Sequence, residues 1–263
     1  MLVKFKKNVS KGSRFNQVYI PKDMENLIEV GDEVEVRLVK KSVMLHYSKN
    51  LKKLTNFKEG LIKDIFSFLN DIGGTNYIFI VGSFLTEKIG YNDIDIAIVA
   101  DEKHKDFEES LYSKLIERFN LRFHLLLIEE NEFNRLLKIC PLTKSMLSRF
   151  ICNKEIKIPE EKYVDNRHIK FLLMMPYDLL EVKLSSRSFF DSIRRLITIE
   201  KFLKNKILDI ECINEELKKL LTERMYNKIK NNENIEDNSI LTLRKIIKSK
   251  LSVIEGLLKN GQK

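Results

Sequence analysis

Residues 77–100 read YIFIVGSFLTEKIGYNDIDIAIVA. The run YIFIV is apolar, of strand length and uninterrupted, the pattern of a strand buried on both faces; DIDIAIVA is a second such strand after a polar connection. In a strand, residues i and i+2 share a face about 6 to 7 Å apart, so Asp93 and Asp95 project together while Ile94 and Ile96 enter the core. Two adjacent carboxylates repel each other and raise each other's pKa, a cost that bound divalent cations remove. Gly82 follows the first strand directly. It permits close backbone approach, and the next N–H groups with the Ser83 hydroxyl can cradle phosphate oxygens.

Working outward, residues 51–72 carry helical spacing in Phe57, Leu61, Ile65, Phe68 and Leu69, ending at Gly73-Gly74. Residues 103–119 predict an amphipathic helix through Phe107, Leu111, Leu115 and Phe119, and LRFHLLLI predicts a third strand. Helices around a small sheet make an α+β core. Before it, residues 1–48 hold short strand-like stretches broken by Lys11-Gly12-Ser13 and Gly31-Asp32. Beyond about Lys162 the helical period dominates, through Phe189, Ile193 and Leu196, then Leu217 and Leu221, then Ile240, Leu243, Ile247, Leu251 and Ile254, and predicts a helical bundle. The expected units are residues 1–48, 51–160 and 161–263.

The whole chain, 263 residues with 43% hydrophobic and 32% charged, is too long for a disulfide-stapled miniprotein and too apolar for a disordered tail. Cys140, Cys152 and Cys212 form no short-spaced metal signature, and an odd number cannot all pair. The opening MLVKFKKNVSKGS lacks the apolar core of a signal peptide, and no apolar run reaches the roughly 18 to 20 residues of a membrane span. The expected compartment is the reducing cytoplasm, without a membrane. A net charge of +9 is compatible with an anionic partner, and equally with lysine-rich helices that have none.

VGSFLTEKIGYNDIDIAIV, residues 81–99, resembles the nucleotidyltransferase superfamily of DNA polymerase beta, especially its small prokaryotic members with Gly-Ser, a spacer and Asp-x-Asp. The resemblance implies a mixed sheet carrying the aspartates, Mg2+ or Mn2+ on Asp93 and Asp95, and transfer of a nucleoside monophosphate from a nucleoside triphosphate to a hydroxyl of a protein, RNA or small molecule. By the same resemblance Gly82 and Ser83 bind phosphate, in a two-metal in-line displacement.

The chain also departs from that pattern. After Gly-Ser many relatives have a small residue, a basic residue and glycine; here Phe84, Leu85, Thr86 and Glu87 follow, leaving Lys88 as the nearest cation for a triphosphate. Asn92 replaces the usual Ser before the first Asp and can hydrogen-bond in its place. The third carboxylate is expected inside LRFHLLLI, where His124 stands. Three readings are open: His124 is a substitute ligand or base, Glu129 or Glu130 serves instead, or the domain binds nucleotide without catalysis.

Residues 6–45, KKNVSKGSRFNQVYIPKDMENLIEVGDEVEVRLVKKSVML, resemble the AbrB-like swapped-hairpin domain of prokaryotic regulators and antitoxins, in Ile20-Pro21-Lys22, a short helix and the turn at Val30-Gly31-Asp32. That family implies an interlocked homodimer laying basic residues on DNA, here Lys4, Lys6, Lys7, Lys11 and Arg14. Ten basic against six acidic residues in 1–50 give a net +4, which suits phosphate contact without specifying bases. A β-rich dimerisation module with solvated lysines fits the same composition. Elsewhere the pairs Arg194-Arg195 and Lys218-Lys219 read as solvated helix faces, and Met174-Met175 as core. The absence of histidine from residues 169–263 disfavours a ribonuclease built on an Arg-spacer-His helix. The expectation is therefore an enzyme. Its rival is a DNA-binding, antitoxin-like regulator whose transferase core senses nucleotide or is inert.

Overall fold

The computed structural model describes residues 4–37, 39, 42–87, 91–101 and 105–260. The chain divides into two compact units, Met1–Lys41 and Ser42–Lys263. In the first, a tight turn closed by the Gly12 N–H on the Phe15 carbonyl joins two short antiparallel strands, β1 (Ser10–Lys11) and β2 (Asn16–Gln17). A 3-10 turn follows at Lys22–Met24, entered through Pro21, whose ring pre-sets the dihedral. Beyond Ser10–Lys11 and Asn16–Gln17, the strand-like stretches of this unit are unpaired among the described residues, and Val18, Tyr19, Val34 and Val36 lie exposed.

The second unit is a mixed α+β core continued by helices. Its sheet runs β3 (His46–Tyr47), β7 (Ile151–Cys152), β4 (Tyr77–Val81), β5 (Ile94–Ala100), β6 (Phe123–Glu129). Only β5 and β6 are parallel; the other pairs are antiparallel. Residues 42–48, grouped with the first unit from sequence, belong here because His46 and Tyr47 pair with β7.

Helix α1 (Asn56–Ile72) starts where the Thr55 hydroxyl accepts the Lys58 N–H and stops at Gly73, whose φ of 81° few other residues tolerate. It packs Ile62, Ile65 and Leu69 with Leu111 and Leu115 of α2 (Lys105–Phe119) on one sheet face, against Ile78, Ile80, Ile94, Ile96 and Ile98. The opposite face, Phe79, Val81, Ala97, Val99 and Ile128, is covered by Phe133 and Leu137 of α3 (Glu130–Ile139), with Leu147 and Phe150 after α4 (Pro141–Met146).

From α4 the chain enters a bundle of α5 (Asn166–Glu181), α6 (Ser186–Leu203), α7 (Ile210–Leu220), α8 (Glu223–Lys230) and α9 (Asp237–Asn260). Helix α6 is the axis, packed on each of the other four. Phe189 and Phe190 are buried there, whereas Met174, expected in the core, lies 59% exposed on α5. Asn120, Asn205 and Asn232 take positive φ after helices, the left-handed stop that asparagine accepts in place of glycine. Among the described residues no helix is long and apolar enough to cross a membrane.

Candidate functional site

Strand register brings together residues far apart in sequence. Val81 is paired with Asp95, and Asp95 with His124, so one row across β4, β5 and β6 ends in Gly82, a carboxylate and an imidazole. Asp95 lies on the sheet face shared by Val81, Ala97 and Val99. The apolar cover of that face does not extend over this row: the His124 side chain is 75% exposed and that of Asp95 30%.

His124 Nδ1 is 3.1 Å from Asp95 Oδ1. Burial holds the Asp95 carboxyl above the usual aspartate range; the hydrogen bond and charge of His124 pull it down, the negative charge of Asp93 pushes it up, and Arg194 on α6 pulls it down. The net direction is upward. Arg194, read from sequence as a solvated residue, thus brings its positive charge toward the acidic pair. Its neighbour Arg195 instead donates to the Leu172 carbonyl at 3.2 Å. In sequence Arg194 is marked only by following Ile193, a buried position of α6, and neighbouring helix positions do not share a face.

Gly82 has φ +76°, and a Cβ added to it would lie 2.0 Å from Asp95 Oδ2. Its lack of a side chain is required twice over, by backbone conformation and by the carboxylate against it. The chain then makes a 3-10 turn, Gly82–Leu85, that buries Phe84 and Leu85 and leaves Ser83 exposed. The Ser83 carbonyl accepts from the Thr86 N–H at 3.1 Å and the Thr86 hydroxyl at 2.8 Å. Asn92 is exposed in the bend before β5, and Lys88 lies outside the described residues.

Glu129 and Glu130 do not reach this site. In the β5–β6 register Glu129 pairs with Ala100, five residues from the Asp95–His124 pair, roughly 16 Å along the strand. Glu130 Oε2 accepts from the Asn76 amide at 2.6 Å. Of the three residues considered for the third position, it is His124 that stands beside Asp95.

An open cavity of about 520 Å3 lies on the α2 side of β6, lined by Glu108, Glu109, Tyr112, Phe123, His124 and Leu125, across the sheet from the face that carries Asp95. Among the described residues no group of three or more His, Cys, Asp or Glu side chains is arranged to hold a metal ion. The Asp93–Asp95 pair nevertheless suits Mg2+, which is commonly bound through one or two carboxylates with waters and substrate phosphates completing its octahedron. In the first unit Lys4, Lys6, Lys7, Lys11 and Arg14 are all exposed.

No protein-family model matches the chain. No curated protein matches it either. Among solved structures the chain is similar to the spectinomycin adenyltransferase AAD(9) from Enterococcus faecialis, crystallised with ATP and spectinomycin, at 13% identity and a TM-score of 0.48, over 74% of this chain and 100% of that one. A likeness of that size assigns no residue and no activity to this chain.

Proposed function

We propose that the second unit is a nucleotidyltransferase, dependent on Mg2+ or Mn2+, that moves a nucleoside monophosphate from a nucleoside triphosphate onto a hydroxyl of a protein, RNA or small molecule. The observation that carries this reading is the row Gly82, Asp95 and His124, with Asp93 adding its charge to the same place. Gly82 and Ser83 open a turn in which backbone can approach phosphate closely. Asp93 and Asp95 would hold the metal, which when bound would supply positive charge for the leaving phosphate and the acceptor hydroxyl. Arg194 offsets triphosphate charge from the bundle side, and Asn92 hydrogen-bonds the phosphates.

His124 has two tasks. With Asp95 ionised, Nδ1 carries the proton of their hydrogen bond, which leaves the Nε2 lone pair as acceptor for the hydroxyl proton. This assignment makes His124 the base that a third carboxylate would otherwise be.

The first unit serves as an AbrB-like arm that dimerises and touches DNA, in a cytoplasmic protein. Its exposed Val18, Val34 and Val36 are apolar surface that a second copy covers, and its five basic residues are exposed for phosphate. Calorimetric titration with ATP tests the core reading. Wild type should bind ATP far more tightly with Mg2+ than without, and Asp93→Asn should lose that difference; equal affinity with and without Mg2+ in the wild type would sink the metal assignment.

A further inference from the structure

Lys58 occupies a position where lysine is costly. It lies in the first turn of α1, in phase with Ile62, Ile65 and Leu69 on the buried stripe, and the residue is only 6% exposed. Its ammonium crosses from the helix to the turn after β4, donating to the Phe84 carbonyl at 2.9 Å and the Thr86 carbonyl at 2.7 Å. It stands 5.1 Å from the centroid of the Phe84 ring and 5.7 Å from that of Tyr91, two rings in edge-to-face contact at 4.7 Å. Burial lowers its pKa, the mark of an ammonium kept from water. A methionine would fill the same space without desolvating a charge, so packing alone does not account for a lysine here.

We propose that Lys58 is a positioning residue for the phosphate-binding turn, setting the backbone of Gly82–Thr86 for the triphosphate from behind. The inference rests on the phosphate reading of Gly82 and Ser83 given above. Two carbonyls of the turn are held inward by one cation, and a third, that of Ser83, by Thr86. Oxygens so held are kept away from an anion arriving at the outer side of the turn. The buried positive charge also favours that anion through a low-dielectric wall. Lys58 touches neither phosphate nor metal.

The test compares ligands that share the phosphates with one that lacks them, in full-length protein with Mg2+. Lys58→Met should raise the Kd of ATP and of inorganic tripolyphosphate by about tenfold or more, the equivalent of two buried carbonyls left unpaired, and leave that of adenosine within about twofold. Lys58→Arg, which keeps charge and donors, should recover most of the loss. Should Lys58→Met not fold, Lys58→Gln, which removes the charge and leaves a shorter neutral amide as donor, carries the same comparison. If the wild type binds ATP and tripolyphosphate and the folded variant binds them equally well, the positioning role is wrong while the phosphate site stands. A parallel loss of adenosine affinity would make Lys58 a general support of the fold, overturning the role. A wild type that binds neither ATP nor tripolyphosphate would remove the site itself, and the role with it.

Discussion

Asp95 is held between a buried setting and a neighbouring Asp93 that disfavour its charge, and His124 and Arg194 that favour it, with the balance toward a raised pKa. The folded state therefore holds the Asp95 proton more tightly than the unfolded chain does. By linkage this contribution to stability is present below the ordinary value of 3.8 and is lost as pH rises through the raised folded value. Asp95→Asn should accordingly raise the melting temperature of the metal-free protein at pH 7, with the gain shrinking as pH falls toward 3.8; a gain that grows on acidification would contradict the assignment. Gly82→Ala tests the same contact from the other strand. A left-handed dihedral in a non-glycine residue costs about 1 to 2 kcal/mol, and the added methyl must also displace the Asp95 carboxylate. Chemical denaturation should show a loss of at least that size.

Helix α6 carries both the bundle and Arg194, so its packing bears on the site. Ser192 is 0% exposed, and its hydroxyl has no hydrogen-bond partner among the described residues. Removing an unpaired buried hydroxyl relieves a desolvation cost of about 1 to 3 kcal/mol, partly offset by the small void left, so Ser192→Ala should stabilise by about 1 kcal/mol in urea unfolding. Elements were legible in the sequence where burial imposed a period: α1, α2, β4, β5 and β6 follow apolar runs or stripes with clear ends. Asp93 and Asp95 stood out for the same reason, being carboxylates at the mouth of a strand otherwise apolar. What stayed hidden was set by partners distant in sequence. The strand-like stretch that ends at Tyr47 was legible, but its pairing with β7, more than a hundred residues later, was not. The break between α7 and α8 turns on Thr222, whose side chain caps the second helix. Lys58 was not legible as a buried cation: the stripe read from sequence ran through Phe57, which lies 70% exposed, and the carbonyls Lys58 reaches are 26 and 28 residues away. The parallel register of β5 and β6, which a chain alone does not state, separated His124 from Glu129 and Glu130.

At the scale of the molecule, the boundary after Lys41 separates a basic arm from a self-contained core. Val18, Val34 and Val36 of the arm are exposed, unlike the apolar residues of β4 and β5, which two helical layers bury. If the arm pairs with a second copy and contacts DNA, deletion of residues 1–41 should abolish DNA binding and lower the oligomeric state while leaving ATP affinity unchanged. In the full chain log affinity should fall with log salt by roughly 0.9 per phosphate contact. Gel-shift titrations over a salt series, with light scattering for mass, read both; DNA binding retained after the deletion would move that role to the helices.

Chemistry at the row of Gly82, Asp95 and His124 is measured directly with α-labelled nucleoside triphosphates. Purified protein incubated with each triphosphate, Mg2+ or Mn2+, and acceptors including itself should release pyrophosphate and retain label on an acceptor. Asp93→Asn and Asp95→Asn should abolish transfer, and His124→Ala should slow it by about 10² or more, as loss of a positioned base does, with the fold intact. Label transfer that persists in both aspartate variants would contradict the site. A wild type that binds Mg2+ and ATP yet transfers nothing until His124→Glu is introduced would contradict the enzyme and leave a nucleotide-binding regulator in its place.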